Sequence, residues 1–182
     1  MKKLFSNRVF AVCLTVVLMI VSVLMNTHVK LGKKCEILAG TFYAEDSISG
    51  GLTRFCDAVE ELVSLGQRCQ ISGADAPTDQ VEEIRGMLSQ RSGKYGVLYQ
   101  DYETLLRETF SLESSLEQIL SQLNSEDADR FTVARHNAAE AKASVDGCDY
   151  NVNAAMFLKS NSHFPTPQLA ACAGVSLPEL FA

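Results

Sequence analysis

Apolar positions along this chain fall into one unbroken block followed by spaced stripes. The block runs from Val9 to Met25, seventeen residues without a charge and interrupted only by Thr15 and Ser22. Beyond it, Leu52, Phe55, Val59, Leu62 and Cys69 recur at intervals of three and four, with Gly66 in the missing place. That spacing predicts a one-faced helix that must pack on a partner. A longer stripe follows, Leu98, Tyr102, Leu105, Thr109, Leu112, Leu116, Ile119 and Leu123, stepping alternately by four and three. It predicts a helix from Gly96 to Leu123, about 42 Å long with a heptad seam. Phe131, Ala134, Ala138, Ala141, Val145, Cys148, Val152 and Ala155 continue the same spacing with smaller side chains. An alanine face admits a close neighbour, and the leucines of the preceding helix are expected to supply the bulk. No alternating strand pattern or long repeat accompanies these stripes, so the expected fold is all-α.

The breaks between stripes are marked as clearly. Ser72-Gly-Ala-Asp-Ala-Pro-Thr reads as a loop, and Asp79 with Glu82 suggests a capping box opening a short helix that ends near Leu88. Arg91-Ser-Gly-Lys-Tyr-Gly is a softer break. Asn124-Ser125 ends the leucine stripe, and Glu126 and Asp127 place acids in the first turn of the next helix. A joint this short between long helices predicts an antiparallel hairpin. The tail beyond Asn161 is broken at Phe164-Pro165-Thr166-Pro167 and again at Pro178. It is expected to fold back as a cap that covers Phe164 and Phe181.

The apolar block is long enough to cross a bilayer when Asn26 and Thr27 are included and Lys30 reaches outward. A cleaved signal would need a shorter apolar core and small residues before the cut, which Asn26-Thr-His-Val-Lys-Leu-Gly does not offer. The chain therefore divides into a basic flank (1–8), a transmembrane anchor (9–27), a basic juxtamembrane segment (28–35) and a helical bundle (36–182). Charge sharpens this division. Residues 1–34 carry six basic groups and no acid, leaving ten basic and 22 acidic residues in the remainder, a net of −12. An acidic domain excludes nucleic-acid binding through phosphate contacts. Basic residues stand three against three around the span, so orientation is nearly undetermined, with a slight lean to an extracytoplasmic domain.

Candidate chemistry changes the picture little. Cys35, Cys56, Cys69, Cys148 and Cys172 form no CxxC pair, and Cys56 and Cys69 lie too far apart on one helix for a disulfide. Cys69 and Cys148 fall on stripe positions, where cysteine serves as a small apolar residue. His28, His136 and His163 make no metal-ligand spacing, and no Glu-x-x-His motif accompanies the acids. Glu60, Glu61, Glu82, Glu83, Glu126, Asp127 and Asp129 read as solvated helix faces, and Gly50-Gly51 as a flexible pair. No catalytic residue, metal ligand or cofactor is expected.

Two groups of residues resemble the LemA family of bacterial membrane-anchored helical proteins. One is Tyr150-Asn151, Phe157, Phe164-Pro165, Ala170, Gly174 and Phe181. The other is Ala44, Ile48, Leu52, Arg54, Asp57 and Leu62-Val63. The chain departs from the family pattern at Phe55, Glu60-Glu61, Gly147-Cys148-Asp149 and Pro167. The resemblance implies a membrane-tethered antiparallel bundle without established catalytic residues. The matched residues are expected to be structural, Tyr150 and Phe157 sharing a helix face and Asn151 serving the Phe-Pro turn. The expected function is a non-enzymatic scaffold or adaptor at the bacterial envelope, with protein partners or other copies of itself. The alternative is a ligand-binding or enzymatic pocket under the carboxyl-terminal cap, using Tyr150, Asn151 and His163.

Overall fold

The computed structural model describes residues 8–91 and 93–182, which are helical with no strand among them. The helices are α1 (Arg8–Phe42), α2 (Ile48–Arg68), α3 (Thr78–Gln90), α4 (Tyr95–Gln118), α5 (Ser125–Asp146), α6 (Tyr150–Asn161) and α7 (Thr166–Cys172). Apart from Arg8, the basic flank lies outside the described residues. The all-α expectation holds.

α1 is a single rod of 35 residues. It is long and apolar enough to cross a membrane, and from Phe10 onward its apolar portion has no buried residue. The helix does not stop where the apolar block ends. It runs on through the basic segment and buries Leu31, Leu38 and Phe42 on one side.

The next four helices form an up-down-up-down bundle. α2 and α5 are antiparallel, since Gly51 lies beside Val145 at one end and Arg68 pairs with Asp127 at 2.6 Å at the other. α4 runs parallel to α2, with the rings of Phe55 and Tyr102 5.5 Å apart and Leu112 against Gly66. The shorter α3 returns between them, carrying Arg85 back to Asp57 and Glu60. Leu52, Val59, Leu62, Leu65, Ile84, Leu105 and Leu116 fill the interior with almost no exposure. The seam from Leu98 to Leu116 is buried within this one chain.

Several expectations change. α4 ends at Gln118, and a 3-10 turn (Leu120–Gln122) replaces the last helical turn, leaving Ile119 and Leu123 half-buried. The alanine face packs most closely on α2 rather than on the preceding helix. Glycine on α2 meeting small residues on α5 allows that approach, whereas the leucines of α4 hold its axis farther off. α5 and α6 are separate helices. The chain breaks at Gly147, and the buried face beyond it is Tyr150 and Ala154, with Val152 and Ala155 exposed.

The short loops also differ in detail. α3 opens without a capping box, its N-cap being Pro77, whose carbonyl accepts from the Val81 amide at 3.1 Å. Asn124 caps α5 directly, its side chain accepting from the Asp127 amide at 2.8 Å. Gly50 and Gly51 lie inside α2 instead of forming a flexible pair. A Cβ on Gly50 would collide with the Glu45 carbonyl, and one on Gly51 would lie 2.6 Å from Val145 Cγ2.

The carboxyl-terminal segment packs on α1 as well as on the bundle end. α6 starts at the level of Phe42, where the rings of Tyr150 and Phe42 meet at 5.1 Å. α7 lies farther back along α1, where Thr166 and Leu169 face Asn26, Thr27, Lys30, Leu31 and Lys34. A strap from Gly174 then returns to place Phe181 near Phe42.

Candidate functional site

Two of the matched aromatic residues, Tyr150 and Phe181, converge with Phe42 and three tyrosines where α1, α4, α6 and the strap meet. Phe42 is fully buried and stacks on Tyr95 at 4.1 Å, with Tyr150 and Phe181 edge-on at 5.1 and 5.9 Å. Phe181 also meets Tyr99 at 5.2 Å and Tyr102 at 5.9 Å. Edge-on packing places ring hydrogens against π faces, adding to the area already removed from water. Ile48 and Leu52 continue the core below, with Leu62 and Val63 farther along α2.

Polar groups of the cluster serve the strap. The Tyr150 hydroxyl donates to the Glu179 carbonyl at 2.8 Å. Asn151 uses both ends of its amide, donating to the Phe181 carbonyl at 2.6 Å and accepting from the Phe181 amide at 2.8 Å. Asn151 thus holds the end of the chain, not the Phe-Pro turn. Burial pushes the Tyr95, Tyr102 and Tyr150 hydroxyls well above the usual tyrosine value, so they remain protonated hydrogen-bond donors. The Tyr102 hydroxyl is buried without a partner among the described residues. Tyr150→Phe is therefore expected to cost about 1 kcal/mol, and Tyr102→Phe to be neutral or stabilising. Thermal melts of the two variants in detergent check the difference.

Other matched residues are placed apart. Phe157 is half-buried against the core, Ala170 is buried in α7, and Gly174 takes φ +67° where the strap begins. Ala44 is exposed, and its carbonyl accepts from the Ser47 amide at 3.1 Å. Phe164 is 82% exposed, contrary to the expected cap, and Pro165 beside it is exposed too. His163 is exposed at the far end of α6, about 18 Å of helix away from Tyr150 and Asn151. The three residues suggested for a pocket are not brought together.

A second feature is an open groove of about 890 Å³ between α2 and α5. Arg54, at its edge, donates to Ser144 Oγ at 3.0 Å, and Arg130 crosses to Glu61 at 2.8 Å. Asp57 and Glu60, which also line the groove, pair with Arg85 at 2.7 and 2.5 Å. These pairs are largely exposed, so water screens them and they mainly set the pattern of charge. Ala58, Ala134 and Ala141 supply the groove's buried apolar lining, and Val133 stands exposed among the charges. Nothing in the sequence stripes marked this groove, because it lies on the polar sides of two helices whose pairing the stripes do not specify.

The cysteines are all free thiols. Cys56 is the buried one, and burial pushes its thiol up to about 12, which keeps it un-ionised. Cys69 and Cys148 are only half-buried. Among the described residues no group of His, Cys, Asp and Glu is arranged to hold a metal.

Three carboxyls on α4 carry a pH dependence. Partial burial raises Asp101, Glu108 and Glu113 above the usual carboxylate value, with Arg135 opposing the rise at Glu113. The unfolded chain releases these protons at lower pH than the folded chain does. Their contribution is fully present below the ordinary carboxylate range and is lost as pH rises through the raised folded values. The full chain in detergent is expected to melt higher near pH 4 than near pH 7. Glu113→Gln should narrow that difference.

Comparison of the chain with models of known families, with curated proteins and with solved structures finds no match.

Proposed function

We propose that this chain is a membrane-anchored helical scaffold of the bacterial envelope, related to the LemA family it resembles, that offers its bundle to protein partners without catalysing a reaction. The observation carrying this reading is the use made of its buried polar residues. Tyr150 and Asn151, the polar residues nearest the cap, are both bonded to the backbone of the chain's own end. Their chemistry maintains shape. Apart from Ser47, Cys56 and Thr109, the rest of the buried interior is aliphatic and aromatic, and charge is displayed outside. α1 supplies the attachment, through an apolar length suited to a bilayer and a basic segment suited to anionic headgroups. The groove between α2 and α5 is the surface offered to a partner, with exposed Val133 between charged rims.

Alkaline extraction of cell membranes followed by crosslinking tests both parts. The chain should stay in the pellet, and a photo-crosslinking residue at Glu140 in the groove should capture a protein that one at Phe110 does not. Release into the wash would overturn the anchor. Retention with no adduct specific to Glu140 would overturn the adaptor role.

A further inference from the structure

A second uncharged stretch lies near the carboxyl terminus. Between Lys159 and Glu179 there are 19 residues without Asp, Glu, Lys or Arg, in a chain where 21% of residues are charged. The stretch is not core. Ala170 is its one buried residue, while Ser162, His163, Phe164, Pro165, Ala171 and Cys172 are exposed. Phe164, at 82%, leaves nearly a whole ring in contact with solvent, where removal from water would be favourable.

Its position suggests what covers it. Thr166 and Leu169 face α1 between Asn26 and Lys34, and His28 Nδ1 lies 2.9 Å from the Ala173 carbonyl oxygen. That is the part of α1 where the uncharged run beginning at Val9 gives way to Lys30. A hydrocarbon core about 30 Å thick takes about 20 residues, which sets its far edge near His28 if it begins after Arg8. α6, 12 residues long, carries the chain about 18 Å along α1 from Phe42 toward that edge.

Resting on the reading of α1 as a spanning helix, we propose that the turn between α6 and α7 is a second contact with the same bilayer, with Phe164 inserted at the boundary between headgroups and acyl chains. An aromatic ring is well suited to that depth, where its apolar body leaves water without reaching the chain interior. The surrounding Ser162, Thr166 and Gln168 can hydrogen-bond headgroups and esters. Lys30, Lys33, Lys34 and Lys159 flank the contact with positive charge favourable to lipid phosphates, and neither 8–35 nor 160–178 contributes an acid. Two contacts set apart from each other would fix the rotation of the bundle about α1, which one helix alone leaves free.

The chain has no tryptophan, so single-tryptophan variants of the full protein report depth directly. Phe164→Trp, Val17→Trp and Phe110→Trp would be reconstituted in phosphatidylcholine–phosphatidylglycerol vesicles containing lipids brominated near the headgroup or deep in the chain. Phe164→Trp is expected to lose most of its emission with the shallow quencher. Val17→Trp should lose it with the deep one, and Phe110→Trp should keep it with both. A quenched Val17→Trp with an unquenched Phe164→Trp overturns the second contact and leaves the span intact. An unquenched Val17→Trp overturns the span, and the second contact with it. Quenching of Phe164→Trp no greater than that of Phe110→Trp also rejects the contact.

Discussion

Phe181→Ala is expected to destabilise the packed end of the molecule by about 3–5 kcal/mol and to free the strap from Gly174 onward. The ring is 3% exposed and touches Phe42, Tyr99 and Tyr102, side chains from two helices that otherwise meet only at this end. Removing it leaves a cavity walled by aromatic rings, which are too stiff to close over it. The two hydrogen bonds between Asn151 and the Phe181 backbone remain available but must then hold a chain end with no buried side chain. Hydrogen exchange in detergent micelles should show the strap amides losing protection, with a lowered melting temperature. Asn151→Leu keeps the ring and removes both bonds, so a smaller loss of about 1–3 kcal/mol is expected. Wild-type protection in Phe181→Ala would mean that the ring does not retain the strap.

The second large effect reverses an ordinary rule. Alanine in place of a helical glycine usually gains about 1 kcal/mol. Gly86→Ala in α3 should follow that rule, since a Cβ there meets nothing within 4 Å. Gly51→Ala should lose about 1–3 kcal/mol instead, through overpacking between α2 and α5. Its Cβ would stand 2.6 Å from Val145 Cγ2, 3.3 Å from the Val145 amide nitrogen and 3.4 Å from the Ala141 carbonyl oxygen. The side chain can rotate, but the two backbone atoms cannot yield without moving α5. Val145→Ala in the same chain should therefore restore only part of the loss. Opposite signs for the two alanine variants in thermal melts would establish that α2 and α5 approach as closely as described. Equal gains would contradict it.

Periodicity carried most of the helical architecture. The stripe from Leu98 to Leu116 and the alanine face from Phe131 to Val145 are buried as their spacing requires, because burial of one helix face leaves a direct trace in the order of residues. The same spacing continued through Val152 and Ala155 although the helix had already broken at Gly147. Small apolar residues satisfy a stripe without being needed in the core, so the pattern ran past its physical cause. Spacing also identifies an apolar face but not what it meets, and for that reason α2 was not evident as the close neighbour of α5. Gly50 and Gly51 illustrate the point locally, since a glycine needed for flexibility and one needed for contact read alike. At the strap, Asn151 and Phe181 lie thirty residues apart, and nothing local in either predicts their pairing. A ring as large as that of Phe164 belongs inside by its size alone, and its exposure becomes informative only with α1 beside it.

The continuity of α1 bears on reach. A domain on a flexible tether samples a volume, and its partners can sit anywhere within it. Here the helix leaving the proposed span continues to Phe42, and Ser47 Oγ donates back to the Phe42 carbonyl at 2.5 Å across the short joint to α2. The rings around Phe42 clamp that joint from the other side. With α1 in the bilayer, the twelve residues from Leu31 to Phe42 set the joint about 18 Å beyond the span, measured along the helix. The bundle would then act as a fixed bracket. A partner must come to that height, and a change in the tilt of α1 would be passed to the groove as a displacement instead of being absorbed by a linker.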